Sequence, residues 1–179
     1  NQAANAEVAR VADQQVNDTI AAIATPPGTG GIGIIRISGP EALPILKRLF
    51  KTHTSHPFFT SHTLYYGTVS RRDGTVLDEV LSVYMQAPNT YTREDVVEIQ
   101  SHGSFLVLKS ILQEVFHCGA RPAEPGEFTK RAFLAGRIDL TQAEAVIDLL
   151  QAKTGKGMEL AMSQLQGEMF TRIEEIRNG

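Results

Sequence analysis

Apolar residues follow two patterns along the chain, and the N-terminal half shows the pattern of β-strands. The runs 18–25 ("DTIAAIAT") and 32–38 ("IGIIRIS") are continuous and β-branched, which predicts two strands, the second of them buried. Two more β-rich runs flank Asp73 and Gly74, a pair typical of tight turns, and these runs predict a hairpin. The run 94–103 ("EDVVEIQSHG") predicts a further strand that ends at its last glycine.

Apolar residues at helical spacing lie between these strands and occupy the C-terminal third. They predict a helix over 41–50, an amphipathic helix over 105–116 and a short helix over about 127–135. The next helix is predicted to begin at a capping box, in which Glu144 follows Thr141 by three residues.

A long amphipathic helix is predicted at the C-terminal end. Its apolar residues recur every three or four positions, at Met158, Met162, Leu165, Met169, Ile173 and Ile176. No other part of the sequence is an evident partner for this stripe, so the segment is interpreted as a fragment of a helical domain or as a dimerising arm. Residues 1–17 are polar and rich in alanine, and they are left unassigned.

Composition limits the classes of protein that this sequence can form. A chain of 179 residues with 42% apolar residues can bury one core and an appended helical unit. The net charge of −3 gives no overall attraction to nucleic acid, and no run reaches the roughly 18 apolar residues that span a bilayer. The single cysteine, Cys118, excludes an internal disulfide and a multi-cysteine metal site. We therefore expect a soluble cytoplasmic protein with no membrane partner.

The glycines of "PPGTGGIGIIRISG" have the spacing of a dinucleotide-binding turn, Gly28-x-Gly30-x-x-Gly33. Such a turn needs a helix directly after the glycines, because the helix N-terminus holds the pyrophosphate. Here a β-branched run follows, and the sequence contains no Gly-x-x-x-x-Gly-Lys-Ser/Thr loop. We predict that the glycines form a tight connection between strands and do not hold a nucleotide.

Three charged residues lie where a purely structural role needs explanation. Arg36 lies inside an apolar strand, where it is paired, faces a cavity or points to solvent. Glu98 lies between Val97 and Ile99, as a buried carboxylate or an outward-facing one. Arg137 follows a helix-stopping glycine and is either a binding residue or a solvated side chain. The sequence shows neither metal-binding histidine spacing nor a nucleophile with its base, which favours a ligand-binding module over a complete catalyst.

Three long motifs, in order along the chain, carry a family resemblance. They are "DTIAAIATPPGTGGIGIIRISGP" (18–40), "DEVLSVYMQAPNTYTREDVVEIQSHG" (78–103) and "RPAEPGEFTKRAFLAGRIDLTQAEAVIDLL" (121–150). From about residue 18 onward, the chain closely resembles the N-terminal part of the tRNA modification GTPase family (MnmE, also called TrmE). The resemblance implies an α+β fold: a mixed β-sheet with packed helices, similar to the tetrahydrofolate-binding domain of the aminomethyltransferases, followed by the start of an α-helical domain.

The resemblance also implies the domain boundaries and the binding residues. A folate-binding and dimerisation domain is expected over 18–138, and the first helices of an incomplete helical domain over 139–179. Arg36, Glu98 and Arg137 match the positions with which the family binds 5-formyltetrahydrofolate or a related tetrahydrofolate. Three positions depart from the family's usual arginine, glycine and asparagine: Thr29, Ser101 and Ala135.

The activity that the resemblance implies is modification of C5 of the wobble uridine in tRNA, with a one-carbon unit from the folate. The expected partners are a second copy of the chain, a flavin-containing protein of the MnmG (GidA) family, and tRNA through the full complex. GTP, potassium and magnesium would bind only in a GTPase domain that this sequence does not contain, so we expect no activity from this part alone. Two alternatives stay open: a stand-alone one-carbon transferase similar to the aminomethyltransferases, and a dimerisation module without a ligand.

Overall fold

The computed structural model describes residues 18–54 and 59–177, which contain seven strands and five helices. The strands are β1 (Ile20–Ile23), β2 (Ile32–Ser38), β3 (Phe50–Thr52), β4 (Thr63–Ser70), β5 (Val76–Met85), β6 (Val96–His102) and β7 (Arg121–Pro122). The helices are α1 (Ala42–Leu49), α2 (Phe105–His117), α3 (Glu127–Leu134), α4 (Leu140–Gln151) and α5 (Gly155–Arg177). The chain divides into two compact units, one that ends at Phe128 and one that begins at Thr129.

All the described strands belong to one mixed sheet in the first unit. Their order is β3-β4-β5-β6-β2-β1-β7, with antiparallel neighbours except for the parallel pair β1 and β7. The central strand β6 pairs with β2 over its full length, from Ile32 opposite His102 to Ser38 opposite Val96. The predicted α+β fold with a mixed sheet and packed helices is therefore confirmed.

Helices α1 and α2 cover one face of the sheet, because successive residues of a strand point to opposite faces. The core residues on this face come from the central strands and from both helices: Ile35, Ile37, Val97, Ile99, Ile45, Leu46, Ile111 and Val115. The other face, called the outer face below, carries the alternate residues of β2 and β6. Four of its apolar side chains are between 40% and 64% exposed: Ile32, Leu64, Tyr66 and Leu81.

The hairpin predicted at Asp73 and Gly74 is confirmed, and it joins β4 to β5. Gly74 has a φ of 88°, a conformation that glycine adopts without strain. The Asp73 carboxylate accepts a 2.9 Å hydrogen bond from the backbone N–H of Thr75. This hydrogen bond lowers the pKa of Asp73 from its ordinary value and fixes the turn.

The glycine-rich connection between β1 and β2 leads directly into a strand, as the β-branched run predicted. A Cβ atom on Gly103, at the end of β6, would lie 2.2 Å from the backbone oxygen of Gly30. In the observed contact, the Gly103 N–H donates to the oxygen of Gly31 at 3.3 Å. A Cβ on Gly33 would lie 2.4 Å from Cδ1 of Leu108. The glycines therefore permit close approach between backbone segments and to α2.

The second unit begins within α3, which ends in a Schellman motif. Gly136, with a φ of 68°, donates its N–H to the oxygen of Phe133 at 2.9 Å. The N–H of the next residue, Arg137, donates to the oxygen of Ala132 at 2.8 Å. These two bonds satisfy carbonyl groups that the helix end would otherwise leave unpaired. They confirm the predicted glycine stop.

The start of α4 corrects a prediction made from sequence. The capping box is formed by Asp139 and Gln142 and not by Thr141 and Glu144. Oδ1 of Asp139 accepts from the N–H of Gln142 at 2.7 Å, and Oε1 of Gln142 accepts from the N–H of Asp139 at 3.1 Å. Both residue pairs have the spacing of a capping box, and the helix begins at the earlier one, where aspartate is a strong N-cap residue.

The long C-terminal helix predicted from the sequence is confirmed as α5. Met158 and Met162 are exposed, whereas Ala161 is buried together with Ala145 of α4. Small residues let two helices approach closely. The two alanines, and not the methionines, therefore lie where α5 packs against α4. Three predicted stripe positions have side chains outside the described residues: Met169, Ile173 and Ile176.

Other differences from the predictions concern short elements and chain segments. The helix predicted over 41–50 ends one residue early, because Phe50 pairs with Val69 and begins β3. The segment 1–17 lies outside the described residues. The predicted domain boundary between residues 138 and 139 rests on the family resemblance and stays a prediction.

Candidate functional site

Arg36 and Glu98 lie directly opposite each other on the outer face. They are partners in the antiparallel register of β2 and β6, 62 residues apart in sequence. The next strand on each side places Ala22 beside Arg36 and Val83 beside Glu98. Because directly opposed side chains on one face of a sheet are in contact distance, the register alone brings the two charges together.

The two side chains form a partly buried ion pair. Nε of Arg36 donates to Oε1 of Glu98 at 2.9 Å, and one terminal nitrogen lies 2.8 Å from the same oxygen. The side chains are 33% and 18% exposed, so neither is fully solvated and neither is fully buried. Of the interpretations left open by the sequence, the structure therefore supports pairing for Arg36 and a half-buried position for Glu98.

Only one oxygen of the Glu98 carboxylate is used by this pair. Oε1 receives both contacts from Arg36, and Oε2 accepts no hydrogen bond from any described residue. Oε2 is not one of the side-chain oxygens of the described residues that are both buried and without a hydrogen bond. Since it has no hydrogen bond, it is not buried and is open to solvent. The pair therefore presents an available, negatively charged acceptor on the outer face.

An aromatic ring lies against the guanidinium group of Arg36. Cζ of Arg36 lies 5.7 Å from the centroid of the Phe128 ring, within the range of a cation–π contact. The small side chain of Ala22, the cross-strand neighbour of Arg36, leaves room on this side of the pair. Phe128, Arg36 and Glu98 thus form one contiguous group, called the Arg36 group below.

One end of the outer face next to this group is closed by a loop. The hydroxyl of Ser38 lies 2.7 Å from that of Thr92 and donates to Oε2 of Glu94 at 2.6 Å. Ser38 and Thr92 are fully buried, because the loop between β5 and β6 covers this end of β2. A ligand on the Arg36 group would therefore extend in the other direction along β6.

In that other direction, the outer face continues into a shallow groove of about 170 Å³. Its lining includes Tyr66, Leu81, Gln100 and His102. Nδ1 of His102 lies 2.8 Å from Oδ1 of Asp78, and the His102 N–H donates to the second oxygen of that carboxylate. The Tyr66 hydroxyl donates to Glu79, and this hydrogen bond raises the pKa of Tyr66 above its ordinary value.

Arg137, the third residue indicated by the resemblance, lies in the second unit. Its backbone closes the Schellman motif after α3, and its side chain is exposed. A binding role for Arg137 stays a prediction. The structure thus brings two of the three predicted binding residues together within the first unit.

Sequence reasoning gave no role to Phe128 or to the residues that hold it. Arg121 donates from its guanidinium group to Asp18 and to both carboxylate oxygens of Glu127, the residue before Phe128. These contacts link positions up to 103 residues apart, and no local pattern indicates them. The only available signal was the density of charged and aromatic residues in the motif that begins at Arg121.

The described residues were compared with the arrangements typical of metal sites and of membrane-spanning helices. None of its groups of histidine, cysteine, aspartate and glutamate side chains is arranged to hold a metal ion. Among the helices that the structure describes, none combines the length and the apolar character needed to cross a bilayer.

The fold and the site together define a class: an α+β domain with a mixed sheet whose outer face carries a paired glutamate and arginine beside an aromatic ring. Comparison of the sequence with models of known protein families identifies the family of this domain. The family described as GTP-binding protein TrmE N-terminus matches residues 19–137. The chain belongs to this family.

Individual relatives extend the match over most of the chain. The chain is 61% identical over 162 residues to the tRNA modification GTPase MnmE of Desulfotalea psychrophila, an alignment that covers 90% of the chain and 35% of the relative. The proteins of the same name from Acetivibrio thermocellus and Geobacter metallireducens are 56% and 53% identical, again over 90% of the chain and 35% and 36% of the relatives. The chain thus spans about a third of the relatives it matches and corresponds to their N-terminal region, as the resemblance predicted.

Proposed function

We propose that the first unit binds a reduced folate, 5-formyltetrahydrofolate or a close relative, on the Arg36 group. The observation that carries the proposal is the Glu98 carboxylate, which is half-buried, held by Arg36 through Oε1 and open at Oε2. The amino-pyrimidine edge of a pterin offers two parallel N–H donors, which a carboxylate accepts as a bidentate pair. Arg36 keeps the Glu98 carboxylate oriented, while the carboxylate oxygens accept hydrogen bonds from the ligand.

The remainder of the ligand fits the direction left open by the structure. The loop over Ser38 closes one end of the outer face, so the aryl and glutamate portions would extend past Gln100 toward the groove. Arg137 is proposed as a further cation for the ligand's carboxylate or carbonyl groups, which are its only anionic or strongly accepting parts.

The outer face also supports the proposed homodimer. Its exposed side chains Leu64, Tyr66 and Leu81 lie on the neighbouring strands β4 and β5 and form an apolar surface in the first unit, and the exposed Ile32 lies two strands away on β2. Contiguous exposed apolar surface of this kind marks association sites. A second copy of the chain is the proposed occupant of this surface.

Within a full-length protein, we propose that this unit supplies the one-carbon unit for modification of C5 of the wobble uridine in tRNA. The proposed partners are the flavin-containing MnmG (GidA) family protein and tRNA, with GTP, potassium and magnesium bound by a separate GTPase domain. The names of the relatives, which are tRNA modification GTPases, support the tRNA and GTPase parts of this proposal.

The test is calorimetric titration of the chain with 5-formyltetrahydrofolate, using Glu98→Gln as the variant. Glutamine keeps the shape of the side chain but places an amide donor toward a ligand donor, at a cost of about 2–4 kcal/mol. The variant should therefore bind roughly 30- to 1000-fold more weakly. Its unfolding free energy should change by less than about 1 kcal/mol, because the amide oxygen still accepts from Arg36 and the pair is partly solvated.

Glu41→Gln is the matched control. Glu41 directly precedes α1, which packs on the opposite face of the sheet, and its side chain is 52% exposed. It should bind folate within threefold of the wild type. No binding by the wild-type chain would overturn the folate proposal and leave a dimerisation module. Equal binding by Glu98→Gln would place the ligand elsewhere, and one-carbon transfer by the chain alone would favour the transferase alternative.

A further inference from the structure

Phe128 is placed on the Arg36 group by a tight turn and a helix start. Pro125 and Gly126 occupy the two central positions of a turn, in which the Glu127 N–H donates to the Glu124 oxygen at 3.0 Å. Gly126 has a φ of 74°, as the third residue of a type II turn requires. Helix α3 begins directly after this turn, so Phe128 is its second residue.

The turn is fixed to the edge of the sheet by one arginine. The terminal nitrogens of Arg121 donate to the two oxygens of Glu127, and its Nε donates to Asp18. Glu127 is only 7% exposed, and Oε2 also accepts from the N–H of Glu124 at 2.7 Å. The hydrogen bond to Glu127, followed by the one to Asp18, holds the pKa of Arg121 above its ordinary value. These residues, Arg121, Asp18 and Glu127, are called the Arg121 clamp.

The clamp connects the outer-face site to the backbone of the sheet. Arg121 lies in β7, opposite Ile20 of β1, and its N–H donates to the oxygen of Thr19 at 2.9 Å. A bidentate arginine–carboxylate pair fixes orientation as well as distance. The first residue of α3 is therefore held in a defined position relative to β1, and the ring of Phe128 follows it directly.

We propose that Phe128 is a binding residue that stacks on the flat heteroaromatic ring of the ligand, and that Arg121 is the positioning residue that holds it there. The inference rests on the proposed folate function and adds a third wall to the site. Glu98 would bind the donor edge of a fused amino-pyrimidine ring, while Phe128 would cover the ring's face. Arg36 contacts both residues and sets their spacing.

The experiment uses the absence of tryptophan from the sequence. In Phe128→Trp, the introduced indole is the only tryptophan, and direct stacking on the ligand's ring would quench its emission. Titration with 5-formyltetrahydrofolate should quench this emission with the midpoint found by calorimetry. Phe105→Trp is the control, because Phe105 is exposed at the start of α2, a helix that packs on the opposite face of the sheet. Its emission should fall only by the amount that ligand absorption explains.

Two further substitutions separate contact from positioning. Phe128→Leu keeps an apolar side chain but removes the ring, and it should weaken folate binding by about ten- to hundredfold. Arg121→Gln in the Phe128→Trp background should weaken binding about tenfold and reduce the quenching at saturation, since the indole is no longer held over the ligand. Arg121→Lys restores one charged contact and should recover part of both signals.

The outcomes distinguish this inference from the proposed function. If the wild-type chain binds no folate, the proposed function itself fails. If the wild type binds but Phe128→Leu binds within threefold and the Phe128→Trp signal matches the control, the stacking role is wrong. If Arg121→Gln leaves both affinity and quenching unchanged, the clamp does not position the ring. Should Arg121→Gln fail to fold, the lysine variant in the Phe128→Trp background decides: quenching and affinity equal to those of Phe128→Trp alone would overturn the positioning role.

Discussion

Gly103→Ala tests the backbone contact that joins the β1–β2 connection to the end of β6. The added Cβ would lie 2.2 Å from the oxygen and 2.6 Å from the carbonyl carbon of Gly30. Both are backbone atoms, so relief requires the connection to move by about 1 Å to reach an ordinary contact distance. That movement would also stretch the hydrogen bond from the Gly103 N–H to Gly31, which is already 3.3 Å long.

Overpacking of this kind costs roughly 1–3 kcal/mol, and a weakened hydrogen bond adds about 1 kcal/mol. We therefore expect Gly103→Ala to lower the free energy of unfolding by about 2–4 kcal/mol, measured by urea titration with far-ultraviolet circular dichroism. Gly30→Ala is the matched control on the other side of the contact. Its Cβ would meet only the oxygen of Ile32, at 3.7 Å, so the change should stay within about 0.5 kcal/mol. Equal stability of the two variants would refute the close contact.

Three further predictions follow from the fold. Asp139→Ala should cost about 1 kcal/mol in urea unfolding because it removes the N-cap of α4, whereas Thr141→Ala should be nearly neutral; the reverse order would restore the capping box predicted from sequence. Burial raises the pKa of the Cys118 thiol, so its alkylation at pH 8 should be slower in the folded chain than in urea, and equal rates would contradict its partial burial. Leu81→Glu should give a monomer by light scattering at tens of micromolar, while Val76→Glu near the hairpin turn should stay dimeric; a dimer in both variants would move the interface away from the outer face.

The elements of the first unit could be predicted because their local patterns agree with the final fold. The β-branched run that contains Arg36 and the Asp73-Gly74 turn each have one strong local solution, and the structure adopts it. The strands β3 and β7 could not be predicted in this way. They contain three and two residues, and they are strands only because β4 and β1 supply their pairing partners.

The candidate site shows the same division between local and long-range information. Charges inside apolar strands singled out Arg36 and Glu98 one by one, but their direct opposition depends on which strands become neighbours. The contribution of Phe128 depends on a turn and on the long-range contacts of Arg121, neither of which has a periodic signature. The prediction of the capping box of α4 failed for a different reason. Two residue pairs with suitable spacing overlap in the sequence, and only the position at which the preceding helix ends selects between them.

The central claim is that a reduced folate binds on the outer face with its pterin at Glu98. The most direct measurement is a crystal structure of the chain grown with 5-formyltetrahydrofolate. The predicted result places the amino-pyrimidine edge of the ligand about 2.7–3.2 Å from the Glu98 carboxylate, with Arg36 still contacting that carboxylate. Folate bound at another surface, with Oε2 of Glu98 still facing solvent, would contradict the claim.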